Sequence, residues 1–221
     1  MKTITQQKPM EKIMESLTGD TSVCIVGCGT CATMCHTGGQ EEVLTMKKNL
    51  QDTGKVITGW MVVPTACDDL SKEAIRENQQ AFSDADSILV MTCAFGVQTI
   101  ATSIEKAVIP ALDTLFIGRE DGISIYSEVC MQCGECVLES TGGICPVTTC
   151  HKGLLNGPCG GTNNGKCEID REKDCAWTLI YKRLEKLGQL DRMRKYYPPK
   201  NYHVVLRPGR VKISLERGGA Q

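Results

Sequence analysis

The sequence predicts an α/β fold: a small parallel-sheet, three-layer domain, then an irregular cysteine-rich region, an amphipathic helix and an extended C-terminal arm. Three observations carry this. Short β-branched runs alternate with helical segments over the first two thirds of the chain. A stretch dense in cysteine and glycine then breaks the alternation, and a periodic apolar segment follows it.

The elements follow in order. Ser22 to Val26 is a short apolar, β-branched run, followed by glycine-rich turns and a helical segment from Gln40 to Asp52. Val56 to Val63 precedes a polar helix from about Ser71 to Phe82, and Ser87 to Met91 precedes a helix from about Val97 to Ala107. Asp113 to Ile117 is a weaker fourth run. Strands that alternate with helices of this length form βαβ units, hence a parallel sheet with covered faces. The α/β domain is assigned to residues 20–124 and the cysteine-rich region to 125–172. Residues 173–221 hold a helix and a tail. Asp174 is placed to cap a helix running to about Leu187, with Gly188 just past its end. Trp177, Ile180, Leu184 and Leu187 form its apolar side, and Tyr202 to Leu206 reads as β-like.

With 221 residues, 41% of them apolar, the chain can bury one good core and a smaller module. A net charge of −1 excludes nucleic acid or an anionic membrane surface as the main partner, since both require a basic face. Met1 to Glu11 is polar and lacks the apolar core of a secretory signal. Apolar runs such as Ile88 to Met91 are too short to span a bilayer. The expectation is a cytoplasmic protein without membrane insertion. Fourteen cysteines in such a chain do not form a disulfide framework, because the cytosol keeps thiols reduced. They point to metal, and with three histidines the ligand set is nearly all sulfur.

Cys130, Cys133 and Cys136 stand at two-residue spacings, and Cys145 is followed at once by Pro146. Three closely spaced thiolates completed by a remote Cys-Pro match the way ferredoxin-type loops wrap a [4Fe–4S] cluster. The interval before Cys145 is longer than in ferredoxins, which leaves the fourth ligand open. Cys150, Cys159 and Cys167 lie in the same region, giving seven thiols, one short of two clusters. Zinc sites favour two separated Cys-x2-Cys pairs over a triplet.

The upstream group is Cys24, Cys28, Cys31 and Cys35. Cys28, Cys67 and Cys93 each fall just past a predicted strand, and parallel strands share their C-terminal edge. The preferred quartet is therefore Cys28, Cys31, Cys35 and Cys67, with Cys24 packed in the core. Cys93 is an alternative fourth ligand here, or the eighth ligand of the lower region. The second case gives three clusters in place of two. Cys24 and Cys175 read as small hydrophobes, and His36 and His151 as hydrogen-bonding neighbours of the sulfurs. Gly27-Cys28-Gly29-Thr30-Cys31-Ala32 has the form of a dinucleotide fingerprint, but Val62-Val63-Pro64 lacks the ribose-binding acid. No catalytic triad, carboxylate pair or P-loop stands out.

Cys145-Pro146, Asn156-Gly157-Pro158-Cys159-Gly160-Gly161 and Gly165-Lys166-Cys167-Glu168 resemble the cysteine-rich region of anaerobic methylenetetrahydrofolate reductases. Cys133-Gly134-Glu135-Cys136 and the Trp177 to Leu184 segment share that resemblance. Val26 to Thr33 with Gly38-Gly39 looks like the α/β half of their iron–sulfur small subunits, the MetV-type family. The likeness spans roughly residues 20 to 200, and its Asn-Gly-Pro-Cys-Gly-Gly run is specific.

The resemblance implies a non-catalytic electron-transfer subunit. Its partner would be a TIM-barrel, MetF-type catalytic subunit carrying FMN or FAD, which reduces methylene-tetrahydrofolate to methyl-tetrahydrofolate in the acetyl-CoA (Wood–Ljungdahl) pathway. A ferredoxin or a nicotinamide-oxidising subunit would supply the electrons. The alternatives are a redox-silent, zinc-binding scaffold of the same enzyme and a stand-alone iron–sulfur enzyme.

Overall fold

In the computed structural model, residues 2–205 and 207–209 are described. The chain divides into two compact units, Met1–Glu128 and Val129–Gln221. The first contains β1 (Lys2–Gln7), α1 (Met10–Ser16), β2 (Ser22–Cys28), the short α2 (Cys31–Met34) and α3 (Gln40–Asp52). These are followed by β3 (Val56–Val63), α4 (Leu70–Glu77), α5 (Gln79–Ser83), β4 (Ser87–Met91) and α6 (Ala94–Ala101). The unit closes with β5 (Ala107–Pro110), β6 (Leu112–Gly122) and β7 (Ile125–Glu128). The second unit holds α7 (Pro146–Thr149) and α8 (Ala176–Lys186) among turns and short 3-10 segments.

The main sheet is parallel in the order β3-β2-β4-β5. Its central strands are apolar on both faces: Val23, Cys24, Ile25 and Val26 of β2 and Ile88 to Met91 of β4 are all buried. Such continuous burial is what a sheet covered by crossover helices requires. Helix α3 places Val43, Met46 and Leu50 at helical spacing and buries them against β2 and β3. Its first turn is closed by Glu42, whose carboxylate accepts the Gly39 N–H at 2.9 Å.

The parallel α/β expectation holds, with two revisions. The fourth parallel strand is β5, upstream of the run read as Asp113 to Ile117. That run lies in β6, the middle of a separate antiparallel sheet, β1-β6-β7. The polar N-terminus forms the edge strand β1 of that sheet, with Thr3, Ile4 and Thr5 buried in succession. Lys2 and Lys8 of this segment pair with Glu120 and Asp113.

Two glycines permit the approach of chain that shapes the edge of the main sheet. The loop after α2 returns so that the Gly38 carbonyl accepts the Cys28 N–H at 2.9 Å. A Cβ on Gly27 would lie 2.4 Å from that carbonyl, and one on Gly38 would lie 1.9 Å from the Met91 carbonyl of β4. Neither position tolerates a side chain without moving backbone.

In the second unit the regular core is small. Trp177, Ile180 and Leu184 of α8 are buried, with Ile144, Leu154 and Met193 packed on them. Leu187 ends the helix and is exposed. Gly188 (φ +66°) follows, and the Gln189 N–H returns to the Leu184 carbonyl at 2.8 Å, a left-handed stop as expected. Asp174 pairs with Lys166 at 2.8 Å, and Cys175 takes the capping position. The arm folds back on its own unit: Asn156 exchanges two hydrogen bonds with the Tyr197 backbone at 2.7 and 2.8 Å, and the Asn201 N–H reaches Glu135 at 3.0 Å. Tyr202–Val204 form a 3-10 turn, not a strand, while Leu206 lies outside the described residues.

Gly38→Ala should cost the first unit about 1–3 kcal/mol, the penalty of overpacking a closed site. The check is urea unfolding followed by circular dichroism. An unchanged midpoint would show that the loop does not press on Met91.

Candidate metal centres

The first centre lies along the C-terminal edge of the parallel sheet. Cys28 is the last residue of β2, Cys67 follows β3, and Cys93 follows β4 as the residue capping α6. Because β2 runs between β3 and β4, the three thiols come from adjacent strand ends, at the edge where open α/β sheets bind ligands. Their proximity is electrostatic as well as topological. Burial pushes the Cys67 thiol up, and the neighbouring Cys93 and Cys28 sulfurs add to that shift. Cys28 and Cys93 are buried, while Cys67 is exposed. Cys31 opens α2 and Cys35 closes it, both half-buried, so the short helix carries two further thiols directly after Cys28. The Thr30 hydroxyl lies 3.2 Å from the Cys28 sulfur, and the Cys35 sulfur lies 3.9 Å from the Thr3 carbonyl. His36 is turned outward and faces Glu42 at 3.9 Å, away from the role of sulfur neighbour expected of it.

The second group is the loop of Cys130, Cys133 and Cys136, which lacks regular structure. Gln132 and Gly134 both adopt positive φ, at +53° and +82°. That reversal turns the Gln132 N–H back onto the Cys130 sulfur at 3.4 Å, the kind of N–H···S contact that stabilises a thiolate ligand. A Cβ on Gly134 would lie 2.3 Å from the Val205 side chain, so the loop is packed closely against the arm. Cys145 stands immediately before α7 with Pro146 in the first turn, and its sulfur lies 3.7 Å from the Thr148 hydroxyl.

A third group is gathered around one cavity. Cys150, Cys159 and Cys167 line it together with Cys175, which the sequence reading had set aside as a small hydrophobe. Cys175 is only half-buried and precedes the first turn of α8. Burial raises its thiol pKa. Hydrogen bonds from the backbone and hydroxyl of Thr178, the Trp177 backbone and Thr162 outweigh burial and hold it below the ordinary range. The signal available in the sequence was position: a cysteine directly before an amphipathic helix meets free N–H groups. His151 lies 3.9 Å from the Cys167 sulfur through Nδ1, so it neighbours sulfur as expected.

Cys24 is different in kind. It is fully buried in β2, 3.7 Å from where a Gly59 Cβ would stand, and burial pushes its thiol up to about 11. All fourteen cysteines are free thiols. Among the described residues, no three His, Cys, Asp or Glu side chains converge tightly on a single ion. Thiolates around an iron–sulfur cube each bind a different iron, and such convergence is not their requirement. The donor set, sulfur with N–H groups and glycine turns around it, fits that type of centre.

Residues 109–203 match the family described as Methylene-tetrahydrofolate reductase C terminal. The match covers under half of the 221 residues and includes every cysteine from Cys130 to Cys175. The cysteine-rich part of the chain is thus similar to that family, which relates the protein to methylenetetrahydrofolate reductases. No curated protein and no solved structure matched the chain. Among the described residues, no helix is long and apolar enough to cross a membrane.

The Cys24 thiol gives a pH signature. Its folded-state pKa lies above the unfolded one, so the unfolded chain loses that proton first. Stability from this group is intact below about pH 9 and declines as pH rises toward about 11, by about 2–3 kcal/mol in all. Alkaline urea unfolding should therefore show a steeper loss in the native chain than in Cys24→Val. Parallel slopes would contradict the assignment.

Proposed function

We propose that the chain is the electron-transfer subunit of a methylenetetrahydrofolate reductase complex, of the MetV type. The observation that carries this is a set of thiols at the C-terminal edge of a parallel sheet, in a chain whose cysteine-rich region is similar to that reductase family. Cys28, Cys31 and Cys35, with Cys67 or Cys93, would hold one [4Fe–4S] cluster. Cys130, Cys133 and Cys136, completed by Cys145, would hold another. Bound clusters supply one-electron chemistry with little rearrangement.

The chain's own residues do the rest. Half-buried Cys31 and Cys35 beside buried Cys28 keep one face of the first site toward solvent and the other in the core. That gradient, with N–H and hydroxyl donors such as Gln132 N–H and Thr30, sets how strongly a reduced, more negative centre is stabilised. Nothing in this role requires a catalytic acid or base. Methylene-tetrahydrofolate would bind to a MetF-type partner, whose FMN or FAD would receive the electrons. A ferredoxin or nicotinamide-oxidising donor would provide them. The protein would act in the cytoplasm.

Cys133→Ser should remove about four irons per chain. It should also impair reduction of the partner's flavin by the donor, and leave the flavin content of the complex unchanged. Metal analysis and anaerobic flavin-reduction kinetics on the complex measure both. Unaltered iron would remove the Cys130–Cys136 loop from the account.

A further inference from the structure

The thiols of the second unit leave one question that the electron-transfer reading does not answer. Between Cys130 and Cys167 there are seven, one fewer than two four-thiolate centres need. We infer that Cys175 is the missing ligand and that Cys150, Cys159, Cys167 and Cys175 together hold one metal centre, separate from that of the Cys130–Cys136 loop.

The four side chains line a single cavity. Two of them, Cys167 and Cys175, are brought there by backbone ties. The turn after Asn163, with Asn164 at φ +49° and Gly165 at φ +80°, reverses the chain, and Lys166 bridges to Asp174. The Cys167 N–H donates to the Lys173 carbonyl at 2.9 Å and the Cys175 N–H to the Gly165 carbonyl at 2.7 Å. Cys167 and Cys175 are thereby held on facing segments of one small ladder. Trp177 closes the inner wall, its indole N–H fixed on the Leu154 carbonyl at 3.0 Å. Lys152 pairs with Glu168 at the rim.

Cys175 is half-buried where Cys24 is fully buried, and while it packs against the apolar core of α8 it also lines the cavity that Cys150, Cys159 and Cys167 line. With Cys175 counted, the second unit supplies eight thiols by itself, and Cys93 is left beside Cys67 and Cys28 in the first unit. The chemistry is four thiolates around a thiophilic centre; their spread around the cavity suits an iron–sulfur cube, whose thiolates each bind a different iron, and a single zinc ion would need them drawn closer together.

The test uses full-length protein purified without oxygen, with iron, acid-labile sulfide and zinc measured together for Cys175→Ser, Cys159→Ser, the double variant and a Cys24→Ser control. Cys175→Ser and Cys159→Ser should each lose the same centre, and the double variant should lose no more. Cys24→Ser should keep the full complement, and Cys175→His should recover part of what the serine variant loses. Loss of one zinc identifies an ion, and loss of about four irons with matching sulfide identifies a cube. Either outcome supports the quartet. Full metal in Cys175→Ser would overturn it, as would losses that add in the double variant. So would loss of every centre in both Cys175→Ser and Cys159→Ser with the circular dichroism of the native chain retained, since the quartet would then not be a separate centre. A chain containing zinc that Cys175→Ser removes, but no iron, would support the quartet and refute the electron-transfer role.

Discussion

The close return of the chain at Gly38 is the constraint on which the first unit's chemistry depends. The Gly38 carbonyl takes the Cys28 N–H, and the space where a Gly38 Cβ would stand is filled by the Met91 carbonyl at the end of β4. Gly38 lies in the turn that closes α2, the short helix bounded by Cys31 and Cys35, which packs on β1 and β2. The loop can come so near only because residues 27 and 38 carry no side chain.

The second unit relies on a different economy. Three buried side chains of α8 are its regular core, and most of the remainder is held by turns and paired backbone groups. A region with so little apolar burial has little to offset the entropy of ordering its loops. In the proposed role, bound metal would add a cross-link between segments that meet through hydrogen bonds such as Asn156 to Tyr197.

Much of this was legible in the sequence where burial leaves a period. The β-branched runs at Ser22, Val56 and Ser87 became β2, β3 and β4, and the Val43, Met46, Leu50 spacing became α3. The antiparallel sheet was not legible as a sheet, because β1 and β6 are half-exposed strands far apart in sequence whose pairing is a tertiary event. Position along strands was enough to place Cys28, Cys67 and Cys93 on one edge. Spacing was not enough to place Cys175, since the ladder between Cys167 and Cys175 depends on a two-residue reversal at Asn164 and Gly165. Cys175 also stands directly before a helix with a convincing apolar stripe, and the stripe masked it.

The most direct test of the electron-transfer account is the iron and acid-labile sulfide content of the native chain, purified without oxygen, together with its visible spectrum before and after reduction. The account predicts at least about eight irons per chain with equal sulfide, and a brown absorption that bleaches on reduction. A colourless chain containing zinc alone would contradict it and leave a redox-silent scaffold in its place.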